Sequence, residues 1–310
     1  MGGRRVGRFR ISPLAGWLGA IALAGVAFSQ TSVFKVNVEL VRVLATVKDL
    51  SGKLIANLNK EDFQVFDNGV SQQIAVFEHH SETPLSIAFL VDTSGSTAKD
   101  LKYEITSASR FLRTLFKEGN TEDRVSLYSF NWEVVEQLGY TRNMVSLERA
   151  MKNFKSEAGT SMYDAIRFGS RSLAEQDGRH VMVMVTDGGD TISSTTYHQA
   201  LADLHRADAV FYAILVMPIT NDVGRNIGGE NALTTLAEST GGKVFVPAVG
   251  PALDAAFDDI LRELRTQYLI AYYPKNVPLT KNRFHTLDVS TRQKDLRVVT
   301  RNGYYGEAIH

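Results

Sequence analysis

Between residues 33 and 78 apolar and polar positions alternate in short runs, as at Val36, Val38 and Leu40 and again at Val43, Ala45 and Val47. A period of two belongs to strands with one buried face. Residues 49–53 (DLSGK) and 67–70 (DNGV) supply Gly, Asn and Asp where tight turns need positive φ. Phe63, Val65 and Phe66 flank the second turn on one side and Ile74, Val76 and Phe77 on the other. The segment reads as a small antiparallel unit.

From Pro84 the pattern changes to runs that are apolar on both faces, at 85–91, 125–130, 181–185 and 210–216. Stretches of helical period separate and follow them, at 101–116, 163–173, 197–206, 232–238 and 253–264. Buried strands alternating with helices are what a parallel sheet covered by helices requires. The run 133–138 follows Phe130 so closely that it reads as a hairpin return, giving one antiparallel edge strand. After Gln267 strand-like runs return at 268–273, 284–290 and 297–301. Each flank is too short to bury a core alone, so 30–80 and 268–306 are expected to pack together as a β-sandwich interrupted by an α/β domain over 81–267.

The first residues change the picture of where the protein works. Arg4, Arg5, Arg8 and Arg10 precede an uncharged apolar run over 11–28, and Ala27 and Ser29 stand at the minus-three and minus-one positions of a cleavage point at Ser29/Gln30. This is the pattern of an export signal over 1–29, with the mature protein periplasmic or secreted. The competing reading is an uncleaved N-terminal anchor, the only route to a membrane in the chain, because about 18 apolar residues is the lower limit for a span. No Cys follows the run, which excludes a lipoprotein.

Acidic and basic residues balance at 34 each, and removal of the signal takes away four basic groups and no acidic one. The absence of a basic cluster in the body argues against nucleic acid as a partner. The chain has no cysteine, hence no disulfide and no thiolate chemistry.

The chemistry gathers after the apolar strands. Asp92-Thr93-Ser94-Gly95-Ser96 follows the run 85–91 and precedes a helix, and in open α/β sheets ligands collect at the carboxyl ends of the strands. Oxygens at i, i+2 and i+4 on such a loop can turn toward one point. Gly159-Thr160-Ser161 and Thr186-Asp187-Gly188-Gly189-Asp190 are expected at the same edge. Asp92, Ser94, Ser96, Thr160 and Asp187 then offer two carboxylates and three hydroxyls, an all-oxygen set suited to Mg²⁺, with Mn²⁺ or Ca²⁺ as alternatives, and unlike a zinc site.

The stretches D92TSGS, G159TSMYDAI and V185TDGGD resemble the von Willebrand factor A domain over roughly 84–266, and the two flanks are similar to the ends of a bacterial family of exported proteins related to it. The resemblance implies a doubly wound, Rossmann-like, mostly parallel sheet with helices on both faces. It also implies that Asp92, Ser94, Ser96, Thr160 and Asp187 are metal ligands, directly or through water, in a metal-ion-dependent adhesion site. A partner protein's Asp or Glu carboxylate would complete the shell.

Plainer readings stand beside these. Each hydroxyl taken singly could cap a helix. Asp190 is expected to cap the next helix, with support of a metal-bound water as the alternative, and Asn131 to be a turn residue. Residues 217–230 follow the strand 210–216, and Asn221, Asp222 and Arg225 there are candidate partner contacts, against a linker that touches nothing. His79 and His80 read as a solvated linker rather than a second metal site, and the pairs Tyr272-Tyr273 and Tyr304-Tyr305 as packing. An enzyme is not expected: His180 begins a strand, away from the proposed metal, and no G-x-S-x-G, P-loop, G-x-G-x-x-G or H-E-x-x-H motif is present. The expected function is an exported, metal-dependent protein-binding module. The alternatives are a structural scaffold of the cell envelope with a stabilising ion and, as a minor one, a metal-dependent hydrolase.

Overall fold

The computed structural model describes residues 40–79, 83–216, 226–247, 251–277 and 283–306. The apolar run 11–28, the cleavage point at Ser29/Gln30, the first alternating positions Val36 and Val38, His80, Asn221, Asp222 and Arg225 lie outside them. Among the described residues no helix is long and apolar enough to cross a membrane.

The chain runs β1 (Val41–Asp49), β2 (Phe63–Asp67), β3 (Val70–Gln72), β4 (Ile74–Glu78), β5 (Leu85–Asp92), α1 (Leu101–Glu118), β6 (Arg124–Phe130) and β7 (Val134–Thr141). It continues through α2 (Met144–Lys152), α3 (Met162–Ala174), β8 (Arg179–Thr186), α4 (Tyr197–Arg206), β9 (Ala209–Leu215) and α5 (Ile227–Thr240). Last come β10 (Val244–Phe245), α6 (Pro251–Thr266), β11 (Tyr268–Tyr272), β12 (Phe284–Thr291), β13 (Leu296–Val299) and β14 (Gly303–Tyr305).

The central sheet has the order β10-β9-β8-β5-β6-β7. Its neighbours pair parallel except β7, which returns antiparallel along β6 as the sequence predicts. Every residue of β5 and β8 is buried, and alternation divides them between two cores. Ile87, Phe89 and Val91 pack with Phe111, Leu112, Leu147, Phe257 and Leu261 of α1, α2 and α6. Ala88 and Leu90 pack with Ile166, Leu204 and Leu233 of α3, α4 and α5. The order starts at β5 in the middle and winds outward both ways. The loops after β5, β6 and β8 therefore meet at one edge.

Two four-stranded antiparallel sheets, β13-β1-β11-β4 and β14-β12-β2-β3, complete the fold. Each mixes strands from before and after the α/β region, and Val43, Val65, Ile270, Leu287 and Tyr304 belong to the core they share. The β2–β3 turn is carried by Asn68 (φ 48°) and Gly69 (φ 78°), the pair of positive φ values that a two-residue hairpin of this hand needs. Asp67 is buried beneath this turn. Its Oδ2 accepts the hydroxyls of Tyr272 at 2.9 Å and Tyr304 at 2.6 Å, and its Oδ1 lies 3.1 Å from His285 Nδ1.

Three elements are additions to the sequence reading, β3, α2 and β10. β2 pairs with β3 while β4 pairs with β11 in the other sheet, so 63–66 and 74–77 do not form one hairpin. α5 begins at Ile227, inside the stretch read as a loop over 217–230. His79 differs in its surroundings: it is exposed, yet its ring packs edge-on against Phe77 and Tyr268, with centroids 5.1 and 5.4 Å away.

Candidate metal centre

Asp92 closes β5 between β6 and β8 and is fully buried. Its Oδ1 accepts the amide of Ser94 at 2.8 Å, and its Oδ2 accepts the Thr186 hydroxyl at 2.7 Å. Burial disfavours the charged form and pushes Asp92 up to about 6, against these two bonds, while Asp187 adds to the rise by like charge. Asp187 follows β8 and is half-buried.

Ser94 and Ser96 turn toward each other, with hydroxyl oxygens 3.0 Å apart. Ser94 is buried and Ser96 exposed. Neither serves as a helix cap: Ser96 precedes the short 3₁₀ turn Thr97–Lys99 without a side-chain capping bond, and Asp100 and Ser161 likewise make none to α1 and α3. Thr97 instead ties the loop down, donating its hydroxyl to the carbonyls of Asp92 and Ser94 at 3.0 Å each. The capping explanation thus fails for Ser96.

The loop that carries Thr160 is sewn to the Asp92 loop by backbone. Ser94 bridges Glu157 in parallel, Glu157 donates its amide to the Thr93 carbonyl at 3.1 Å, and Ser161 donates to Asn131 at 2.7 Å. Asn131 is the expected turn residue, accepting the Glu133 amide at 3.2 Å, and its Nδ2 also reaches Thr93 Oγ1 at 3.1 Å. On the far side Thr160 pairs with Thr191: its amide donates to Thr191 Oγ1 and its carbonyl accepts the Thr191 amide, both at 2.9 Å. The three loops predicted from sequence are one hydrogen-bonded unit.

Asp190 behaves differently from expectation. Its Oδ1 accepts the amide of Tyr163 at 3.2 Å, in the first turn of α3, so it caps the helix before it in the chain rather than α4. The N-terminus of α4 is capped by Thr196, which accepts the Gln199 amide. His180 lies at the start of β8, seven residues before Asp187 on the strand, with its ring nitrogens 2.5 and 2.8 Å from the carbonyls of Ala207 and Gln176.

The Asp187 loop owes its position to glycines. Gly188 has φ 99°, and the start of α5 presses so closely on it that a Cβ on Gly229 would stand 1.4 Å from the Gly188 carbonyl oxygen. Around the edge, Trp132, Ile192 and Ile227 are exposed at 55, 49 and 63%. A Cβ on Gly159, next to Thr160, would lie 2.9 Å from Ile192 Cδ1 and 3.3 Å from Trp132 Cβ.

One residue escaped the sequence reading. Glu104, on the inward face of α1, is 2% exposed, and among the described residues neither of its carboxyl oxygens has a hydrogen-bond partner. The signal was an acid within the apolar stripe of Leu101, Ala108, Phe111 and Leu115.

Chemically, the edge offers two carboxylates and three hydroxyls with no thiol or imidazole among them, a donor set fitting a hard divalent ion that keeps some water. Among the described residues no three Asp, Glu or His side chains cluster as metal ligands, and a set of two carboxylates with hydroxyls has no need of a third.

The chain is similar to the vWF domain of the type V pili tip protein Mfa5 from Porphyromonas gingivalis, at 14% identity and a TM-score of 0.49 over 58% of this chain and 94% of that one. It is similar to the conserved hypothetical protein BatB from Bacteroides thetaiotaomicron, at 18% identity and a TM-score of 0.47 over 59% of this chain and 100% of that one. Similarity extends to the PilB minor pilin from Streptococcus sanguinis, at 15% identity and a TM-score of 0.47 over 60% and 62%. No curated protein matches by sequence. The profile of the von Willebrand factor type A domain matches residues 86–258, more than half of the chain. With that match lying over the six-stranded sheet and its three converging loops, the chain belongs to the von Willebrand factor type A domain family.

Proposed function

We propose that this protein is an exported, non-catalytic protein-binding module that holds Mg²⁺, or Mn²⁺ or Ca²⁺ in its place, through Asp92, Ser94, Ser96, Thr160 and Asp187. A carboxylate of a partner protein takes the remaining coordination position. The observation that carries the reading is the pairing of Ser94 and Ser96 hydroxyls beside Asp92, unused as caps. Trp132, Ile192 and Ile227 add apolar surface around the site, the kind of contact that turns one carboxylate–metal bond into a selective interface. The N-terminal signal pattern supports a location outside the cytoplasm.

The test is capture of envelope proteins on the immobilised full chain with Mg²⁺ and with EDTA, repeated with Asp187→Ala. Capture that needs Mg²⁺ and fails with the variant is expected. Capture indifferent to EDTA overturns the reading.

The hydrogen bonds that tie the three loops to one another favour a second reading, a scaffold in which the metal only stabilises. It predicts a rise in melting temperature with Mg²⁺ and no metal-dependent capture.

A further inference from the structure

Among the described residues neither carboxyl oxygen of Glu104 has a hydrogen-bond partner. Glu104 occupies a position on the inward stripe of α1 that it shares with Leu101, Ser107, Ala108, Phe111 and Leu112. A carboxyl group buried without a hydrogen bond is costly and rare in a folded chain. The charges that act on it are those of Asp92, Asp100 and Asp187, all of its own sign. Two of these three are the carboxylates of the candidate metal centre. Glu104 stands in the first turn of α1, on the face packed against β5, so its unsatisfied oxygens lie toward the strand end that carries that centre.

We infer that Glu104 is a positioning residue of the metal centre, accepting hydrogen bonds from water on the ion held by Asp92 and Asp187. The inference rests on the metal-binding reading above. The contact assigned to Glu104 is through water, since the described residues hold no group of three such side chains placed as direct ligands. It makes the centre one of three carboxylates rather than two, which favours a divalent over a monovalent ion. Outer residues of this kind commonly set 10- to 100-fold of a site's affinity.

The experiment titrates Mn²⁺ into the full chain by calorimetry, for the wild type, Glu104→Gln and Glu104→Leu, with melting temperatures in EDTA beside each. Glu104→Gln keeps the shape, and Glu104→Leu completes the apolar stripe, so that one of them folds even where the other does not. Both are expected to melt in EDTA at or above the wild-type temperature and to bind Mn²⁺ at least about tenfold more weakly. A purely structural role would move the melting temperature and leave the affinity. Wild-type affinity in a folded variant overturns the inference while leaving the metal centre standing. A wild type that binds no Mn²⁺ overturns both.

Discussion

Thr186 donates its hydroxyl to Asp92 Oδ2 at 2.7 Å, and the same Oγ1 accepts the amide of Gly188 at 3.1 Å. One side chain thus joins the two loops that carry the site's acids. Thr186→Val preserves shape and removes both bonds, leaving a buried acceptor and an amide short of a partner. A loss of about 1–3 kcal/mol is expected in urea denaturation, with weaker Mg²⁺ binding by calorimetry. Unchanged stability and affinity would show that the link is incidental.

Asp92 and Glu104 make stability depend on pH in an unusual direction. Their ordinary values are 3.8 and 4.5, and burial raises them in the folded protein to about 6 and about 8. Between the ordinary and raised values the folded state holds protons that the unfolded state has released, so this contribution is intact at low pH and is lost as pH rises. In EDTA the melting temperature of the wild type is expected to fall relative to Glu104→Gln between pH 5 and 8. Mg²⁺ should lessen the fall by favouring the charged forms. A difference between the two proteins that stays flat with pH would refute the linkage.

Gly229→Ala places a methyl group against the Gly188 carbonyl. Since both partners are backbone, α5 and the Asp187 loop must separate. A destabilisation of about 1–3 kcal/mol and reduced Mg²⁺ affinity are expected, measured by thermal melts with and without the ion. Were the affinity kept, the approach of α5 would not be what places Asp187.

Trp132→Ala and Ile192→Ser should separate partner binding from metal binding. Both side chains are exposed beside Thr160 and neither is a proposed ligand. Lower capture of partner at unchanged Mg²⁺ affinity is expected. Full capture by the double variant would move the interface elsewhere.

In the sandwich, Asp67→Ala strips two buried phenol hydroxyls and His285 of their shared acceptor. Several unmet polar groups at once should cost roughly 3 kcal/mol or more, read from the urea midpoint. Asp67→Asn keeps an acceptor and is expected to lose less.

The central sheet was readable because strands buried on both faces leave an unbroken apolar run, and helices of ten or more residues show their period. The nine residues of α2 carry only Leu147 and Met151 as buried positions, and the two of β10 can show no period at all. Two of the site loops were readable because they follow buried strands; the third, carrying Thr160, lies between α2 and α3 and showed only by its Gly-Thr ahead of a helix. The roles of Asp190 and Glu104 were not: a cap bonded 27 residues back along the chain, and an acid inside an apolar stripe, acquire meaning only from elements that pack later. The pairing of β4 with β11 likewise joins strands separated by the whole α/β region.

That pairing has a mechanical consequence. The chain leaves the sandwich at the end of β4 and re-enters, after α6 and the single residue Gln267, at the start of β11, its hydrogen-bonded neighbour. Tension applied at the site and resisted by the sandwich would pull both strands the same way, side by side. The ladder between β11 and β1, from Val41–Tyr272 to Ala45–Tyr268, would then be loaded in shear, all of its bonds sharing the force, instead of opening one bond at a time like a zip.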